Sequence, residues 1–208
     1  MSESQGRPYA GQSADERDAQ RRTRLLAATR ELIGTKGYAG TKIERICALA
    51  NVSTRHFYRQ YDGKESAFID LYDQLTNESY ERVLASLQLT EGRPLSERVA
   101  AGFAAYLQPM FDDVRTARIA FVEVIGVSPR IERLRLDYRE VLIATIEAEG
   151  AAAVARGEVA DRDFRFAALA LIGAANVIVY DWAIKADRIP AKDVQQKLVA
   201  LAVDLIAG

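Results

Sequence analysis

The sequence is poor in several residue types that particular classes of protein need. It contains one cysteine, so it can form neither an internal disulfide nor a cysteine-based metal site, and a reducing compartment is expected. No uncharged apolar run approaches the roughly 20 residues of a membrane-spanning helix. The N-terminal residues lack the apolar core of a secretory signal. These absences predict a soluble, cytoplasmic protein.

Patterns that mark catalytic sites are also missing. There is no nucleophile paired with a general base, no glycine-rich phosphate loop and no metal-ligand spacing. The only histidine, His56, has neither a second histidine for a zinc site nor a fixed carboxylate for general-base work. We therefore expect no enzyme, no cofactor and no metal. An α-helical small-molecule-binding protein or enzyme remains the alternative.

Helical periodicity is what the sequence does contain. The chain has 208 residues, 49% of them apolar, which is enough to bury a core. Apolar residues recur at helical spacing, and no segment alternates as a strand does. We predict an all-α fold of about nine helices. After four helices in the first 88 residues, the others are predicted at 95–111, 113–127, 130–156, 163–186 and 190–206.

The charge is distributed unevenly along the chain. Residues 1–64 carry 12 basic and 7 acidic side chains, a net charge of +5, and the remaining residues carry −6. A basic end on an acidic body favours a polyanionic partner for that end, although chance fluctuation is an alternative. Residues 1–20 lack periodicity and are interpreted as a flexible polar and basic arm. Its arginines, including Arg7 and Arg17, either follow a DNA backbone or belong to an ordinary charged tail.

The first helices have the layout of a helix-turn-helix domain. Helical periodicity begins at Arg21 and is expected to stop at Gly37. Thr41 and Glu44 have the spacing of a capping box for the second helix. The next break is at Asn51, a residue that tolerates the positive φ of a tight turn.

The third helix has an apolar anchor and a polar face. Ser53 can cap it, and Val52 and Phe57 are its buried positions. A helix that reads the major groove needs short hydroxyls and arginine near its N-terminus. Tyr58 can donate to a phosphate, and Lys64 lies in the first turn of the fourth helix. An ordinary solvated helix face is the alternative.

Residues 21–68 resemble the DNA-binding domain of TetR/AcrR-type bacterial regulators. The residues that carry the resemblance agree in order and spacing: Ala28, Leu32, Gly37-Tyr38, Thr41, Ile43, Ile46, Ala50, Val52-Ser53, Phe57-Tyr58, Tyr61 and Lys64-Glu65. Asn51 stands where the family usually has glycine, and Cys47 where it usually has alanine. Arg55-His56 also departs from the family pattern, so no known operator sequence carries over.

The resemblance implies a DNA-binding transcriptional regulator, most often a repressor released from a palindromic operator by a small-molecule effector. A DNA-binding protein without effector is the alternative. Residues 21–67 would form the DNA-binding domain and 68–208 the effector-binding and dimerisation domain. The family pattern implies base contacts by Ser53, Thr54, Arg55 and His56. It implies phosphate contacts by Thr41, Lys42, Tyr58, Arg59 and Lys64.

The last two helices carry the predicted dimer interface. The helix at 163–186 is apolar nearly all round, which indicates burial on several sides. In the family this helix and the last one meet their copies in a four-helix interface; closing a monomer core is the alternative. The predicted homodimer contacts are Leu171, Ala175, Ile178, Trp182, Leu198, Leu201 and Leu205.

The helices between these two regions hold the predicted effector pocket. Its candidate residues could equally be plain core: Phe103, Tyr106, Met110, Phe121, Glu123, Tyr138 and Asn176. Glu123 interrupts an apolar run and must be paired or neutralised if buried. It would pair with an arginine of 130–139 or face a ligand. Asn176 would bond a ligand or its twin across the dimer.

Overall fold

The computed structural model describes residues 14–208, and within them all regular structure is helical. Nine α-helices are present in this range, as predicted. They are α1 Ala14–Gly40, α2 Ile43–Ala50, α3 Thr54–Gln60, α4 Lys64–Leu89, α5 Leu95–Asp112, α6 Val114–Arg118, α7 Pro129–Ala155, α8 Phe164–Ile184 and α9 Ala191–Ile206. A π-helical turn, Ile119–Glu123, follows α6 directly, so the single helix expected at 113–127 is divided.

The first helix starts earlier than its apolar pattern indicates. It begins at Ala14, so residues 14–20 are helical and the prediction of an arm extending to residue 20 is wrong for them. Asp15 and Glu16 lie in the first turn, where negative charge interacts favourably with the helix dipole. The rest of the predicted arm, including Arg7, lies outside the described residues.

The break predicted at Gly37 is present. Gly37 has φ 81° and ψ 162°, a conformation that glycine adopts without steric penalty, and helical geometry resumes for one short turn. The predicted capping box is absent, because Lys42 is the N-cap of α2 and no side chain bonds there. The Thr41 hydroxyl instead donates to the Gly37 carbonyl across 2.8 Å, which ties the two sides of the kink together.

The turn between α2 and α3 forms as predicted. Asn51 adopts the left-handed conformation, with φ 52° and ψ 50°. Ser53 caps α3 by accepting from the His56 N–H. At the start of α4, Ser66 exchanges hydrogen bonds with the Gly63 backbone.

Residues of the body complete the core of the N-terminal domain. Phe57 and Phe68 are fully buried at its centre. Ile119, Val124 and Ile131 from the π-helical turn and its surroundings belong to the same apolar cluster. Two further clusters lie among α5, α7, α8 and α9. The N-terminal helices therefore pack directly on the body at the π-helical turn and its surroundings.

Helix α8 is the most apolar element of the described residues. By length and composition alone it could cross a membrane, a property it shares with core helices of soluble proteins. One of its faces is buried against the body, where Leu171, Ala175 and Val179 lie in the core. Its other face is exposed in the single chain, which places an apolar surface on the outside of the body.

Candidate nucleic-acid interface and effector cavity

Helix α3 presents polar side chains on a rigidly anchored frame. Phe57 is completely buried, and its ring contacts that of Tyr61 at a centroid distance of 5.4 Å. On the opposite side Thr54 and Arg55 are exposed, and Tyr58 is 59% exposed. The arrangement has the shape of a recognition helix, with donors outward and one aromatic anchor inward.

The predicted base-contacting residues Ser53 and His56 are bonded to each other. Ser53 Oγ lies 2.8 Å from His56 Nδ1 and accepts from the His56 backbone N–H at 3.3 Å. Because Nδ1 is engaged, Nε2 is the ring nitrogen left for an external partner. Ser53 thus orients the imidazole as well as capping α3.

The five predicted phosphate-contacting residues separate into two groups. Lys42, Tyr58 and Arg59 are exposed. Thr41 is only 3% exposed, and its hydroxyl is engaged at Gly37.

Lys64, like Thr41, makes its hydrogen bonds within the chain. Its Nζ donates to the carbonyl oxygens of Tyr38 at 2.6 Å and Thr41 at 2.9 Å, and it lies 4.1 Å from the centre of the Tyr38 ring. Burial lowers the pKa of the Lys64 ammonium. Thr41 and Lys64 therefore hold the junction of α1 and α2 through internal hydrogen bonds, and their phosphate contacts stay predictions.

A tie between α1 and α4 was not anticipated from the sequence. Asp70 accepts from Arg22 Nε at 2.9 Å and from the Tyr61 hydroxyl at 2.6 Å. Burial, reinforced by the bond to Asp70, raises the pKa of Tyr61. Arg22 therefore links α1 to α4 within the N-terminal part of the chain.

A two-chambered apolar cavity lies within the body. The wider chamber has a volume of about 350 Å³ and the narrower one about 70 Å³. Both are lined by Tyr106, Phe121, Leu142, Ile172 and Asn176, which therefore stand where the chambers meet. Six of the seven predicted pocket residues line the cavity: Phe103, Tyr106, Met110, Phe121, Tyr138 and Asn176.

A few charged residues that the sequence patterns did not single out also line the cavity. Arg98 and Glu149 form an ion pair at 2.5 Å on the wall of the narrow chamber. Arg135 and Arg139 line the wide chamber. The spacing of Arg135, Arg139 and Leu142 on one face of α7 was the available signal, because residues three and four apart are neighbours on a helix.

The comparisons with known proteins agree with this architecture. The family model for bacterial regulatory proteins of the tetR family matches residues 25–71. This N-terminal segment is therefore similar to the regulatory proteins of that family. No curated protein matches the sequence.

Solved TetR-family structures share the fold over nearly the whole chain. FadR from Bacillus subtilis in complex with stearoyl-CoA superimposes with a TM-score of 0.78 at 17% identity, covering 88% of this chain and 98% of FadR. FadR from Bacillus halodurans superimposes with a TM-score of 0.79 at 15% identity, covering 88% of this chain and 94% of that FadR. AibR in complex with isovaleryl coenzyme A and operator DNA superimposes with a TM-score of 0.69 at 19% identity, covering 87% of this chain and 97% of AibR.

Glu123 joins the π-helical turn to the N-terminal helices. Its Oε2 accepts from the Tyr38 backbone N–H at 2.8 Å, and its Oε1 accepts from Arg118 at 3.3 Å. The prediction that it pairs within 130–139 or faces a ligand is therefore wrong, since it lines neither chamber. Its position on the π-helical turn directs the carboxylate to the Gly37 kink instead.

A second contact between the domains surrounds Asp113. This carboxylate accepts from Arg30 of α1 at 3.0 Å and from Arg115 of α6 at 2.9 Å. Arg115 also bonds Glu31. A Cβ added to Gly34 would lie 2.5 Å from the Arg115 Cβ, so the close approach of α1 and α6 requires a glycine.

Four of the seven predicted dimer contacts are buried within the single chain. Leu171, Ala175, Trp182 and Leu198 are at most 8% exposed and belong to the body's own core, which corrects that part of the prediction. Ile178 is exposed, and Leu201 and Leu205 are half-buried. The apolar residues that are exposed on α8 are Phe166, Leu169, Val177, Ile178, Tyr180 and Ile184.

Proposed function

We propose that this regulator is a cytoplasmic repressor that binds a palindromic operator as a homodimer and leaves it when a small molecule fills the cavity. The observation that carries the proposal is the double role of the π-helical turn. Phe121 of this turn lines both chambers, and Glu123 of the same turn bonds the DNA-binding domain at Tyr38. A ligand need only prefer the conformation that fits DNA poorly to release the operator.

On the DNA side, the exposed donors of α3 support the proposal. Thr54, Arg55 and His56 would contact base edges, with Ser53 orienting His56. The planar fork of Arg55 matches O6 and N7 of guanine. The exposed residues left for phosphates are Lys42, Tyr58 and Arg59.

The outer face of α8 supports a two-fold dimer. Its exposed residues recur at alternating intervals of four and three positions, the spacing of a helix–helix seam. They are Phe166, Ala170, Gly173, Val177, Tyr180 and Ile184. A contiguous apolar face of this kind on a soluble chain marks an interaction site. Two recognition helices related by the dimer axis would then read half-sites about one DNA turn apart.

The cavity supports an effector of apolar character. The similar structures of FadR and AibR contain stearoyl-CoA and isovaleryl coenzyme A, and the AibR structure also contains operator DNA. AibR therefore combines ligand and DNA binding on the fold that this chain shares. A DNA-binding protein without effector would have no use for a chamber of about 350 Å³ that reaches the interdomain turn.

The test is a selection of genomic fragments by the purified protein at near-physiological salt, followed by sequencing. An enriched palindrome supports the proposal. Binding without sequence enrichment, with a steep salt dependence alone, contradicts it and favours an architectural role.

A double variant, Arg55→Ala with Tyr58→Phe, then tests the assigned surface. It should lose operator binding while keeping its thermal transition, because both side chains are exposed. We expect the loss of the Arg55 contact to cost about 1–3 kcal/mol. Arg93→Ala is the matched control, since Arg93 is an equally exposed arginine in the segment before α5.

A further inference from the structure

We propose that the cavity binds an amphiphile in one orientation, with an apolar chain in the narrow chamber, a carbonyl or carboxyl oxygen at Tyr106 and Asn176, and an anionic head group near Arg139. The role of this ligand as effector rests on the proposed function. The ligand class itself follows from the polarity of the cavity walls and stands independently of DNA release.

The narrow chamber suits a hydrocarbon chain. Its walls come from five α-helices and the π-helical turn and are apolar apart from a few groups. The apolar side chains include Val83, Leu87, Val99, Phe103, Ile146 and Leu171. Its charged residues, Arg98 and Glu149, form an ion pair at 2.5 Å, so they add no net charge to the chamber, and only Arg98 Nε remains as a buried donor without a partner among the described residues. A polar ligand group would lose its hydration here without replacement, whereas an apolar chain gains free energy on burial.

Tyr106 and Asn176 place hydrogen-bonding groups where the two chambers meet. Each residue lines both chambers, and neither side chain has a hydrogen-bond partner among the described residues. The Tyr106 ring stacks on Phe103 at 6.0 Å, which holds its orientation. Burial raises the pKa of the Tyr106 hydroxyl to about 12, so it remains a donor at neutral pH.

These two groups point to an oxygen in the ligand. Both side chains are partly buried and line the cavity, so a ligand that supplies an acceptor can bond them there. The phenol O–H and the amide NH₂ can both donate to one carbonyl or carboxyl oxygen. An acyl group carries such an oxygen at the head of its apolar chain, which fits the order of polarity in the cavity.

Arg139 supplies the positive charge of the wide chamber. Its Nε is buried without a hydrogen-bond partner, and its only ion-pair contact is with Glu140 at 3.4 Å. Glu140 is held more closely by Arg165 at 2.7 Å, so Arg139 retains donors for a ligand. Arg135 adds a second positive charge on the same chamber, although Glu132 holds it at 2.6 Å.

The wide chamber also opens toward solvent beside these arginines. Ile125 and Val141 line it and are exposed, and neither belongs to the α8 seam of the proposed dimer. A head group can therefore lie partly outside while the chain is enclosed. The arginine fork binds carboxylate and phosphate equally well, so the anion is either the carboxylate of a free fatty acid or the phosphates of an acyl thioester carrier.

The test is calorimetric titration of the delipidated full-length protein with acyl chains from butyrate to palmitate, each as the free acid, the coenzyme A thioester and the uncharged methyl ester, and with coenzyme A alone. We expect an acyl anion to bind at least about tenfold more tightly than methyl palmitate, as charge-assisted hydrogen bonds imply. Coenzyme A alone should bind weakly because it lacks the chain. Preference for palmitate or palmitoyl-CoA identifies the source of the anion.

Three variants assign the parts of the ligand to the cavity. Arg139→Gln should remove the preference for the anion and leave methyl palmitate binding unchanged. Tyr106→Phe should lower the affinity for anionic and neutral acyl compounds alike, by about fivefold, because one neutral hydrogen bond is lost. Val99→Phe should shift the preferred chain to a shorter one by filling the narrow chamber. Arg82→Gln, an exposed change on α4, is the control, and thermal melting verifies folding.

Two binding results would contradict the proposed ligand class. It is wrong if no acyl compound binds better than coenzyme A alone, or if Arg139→Gln weakens charged and neutral compounds equally. Tight acyl binding that leaves the operator complex intact supports the ligand class but contradicts the proposed release mechanism. The two proposals therefore fail in different measurements.

Discussion

The carboxylate of Glu123 accepts a hydrogen bond from the backbone N–H of Tyr38 across 2.8 Å, and this bond connects the cavity-lining turn to the DNA-binding domain. Two residues before Glu123, Phe121 lines both chambers. The acceptor lies beside Gly37, where a Cβ would come within 3.1 Å of Glu123 Oε2. Displacement of the turn by a ligand would therefore act directly on the kink that precedes α2.

Removing this acceptor should affect both stability and response. Glu123→Ala leaves the Tyr38 N–H and Arg118 without their partner, and we expect the free energy of unfolding to fall by about 1–2 kcal/mol. Operator affinity should change little, while the fraction of complex released by a saturating effector should fall. Denaturant unfolding and a DNA-binding titration with and without ligand measure these two quantities.

Glu123→Gln is the matched control, because its carbonyl oxygen can still accept from Tyr38. It should release DNA nearly as well as the parent protein. Equal release by the alanine variant would show that the signal between the domains travels by another route.

Lys64 is predicted to position the DNA-binding domain rather than to contact a phosphate. Its ammonium group holds the carbonyls of Tyr38 and Thr41. Lys64→Gln should therefore lower the melting temperature and operator affinity but leave the slope of log affinity against log salt concentration unchanged. Lys42→Gln, at an exposed position, should instead reduce that slope by about 0.9 for each protomer, or about 1.8 for the dimer. A reduced slope for Lys64→Gln would restore its assignment as a phosphate contact.

The contact around Asp113 predicts loss of stability in acid. Burial alone would raise the pKa of Asp113, but hydrogen bonds from Arg115 and the charges of Arg30 and Arg115 outweigh it and leave the pKa below its ordinary value. Since the folded-state pKa is depressed, the contribution to stability is present above the unfolded pKa, near 4. It is lost as pH falls through the folded pKa.

Asp113→Asn should be less stable than the parent protein at neutral pH, and the difference should shrink as the pH falls below about 4. Denaturant unfolding across pH 2–7 checks this expectation. A difference that stays constant over the whole range would mean that ionised Asp113 does not stabilise the packing of α1 on α6.

The sequence was most informative where the causes are local. Helical periodicity locates the helices of the body to within a few residues, and Asn51 and Ser53 determine the turn before α3 through their own backbone preferences. Phe57 is recognisable as an anchor because it is the apolar residue of a polar helix.

Partners distant in sequence could not be predicted in the same way. Glu123 bonds Tyr38, which precedes it by 85 positions, and the pairing depends on how the body docks on the N-terminal domain. Lys64 has the composition of a phosphate contact, and only the kink at Gly37 brings it to two carbonyl oxygens. On α8, a helix apolar on nearly all sides gives no indication of which face is covered by its own chain, so residues such as Leu171 were assigned to the wrong face.

The exposed face of α8 leads to a prediction about assembly. Phe166 is 70% exposed in the single chain and lies on the seam proposed for the dimer. Phe166→Glu places a charge on each side of the two-fold axis, where desolvation and repulsion oppose association. We expect light scattering to show a monomer at concentrations where the parent protein is dimeric. Operator affinity should fall steeply, because a monomer contacts only one half-site.

Leu89→Glu is the control for added charge and lost apolar surface. Leu89 is 86% exposed at the end of α4, away from α8, and its substitution should leave both the mass and the operator affinity unchanged. Retention of the dimer by Phe166→Glu would place the interface elsewhere on the body. Loss of the dimer without loss of operator affinity would instead mean that one recognition helix is sufficient, and a palindromic operator would no longer be required.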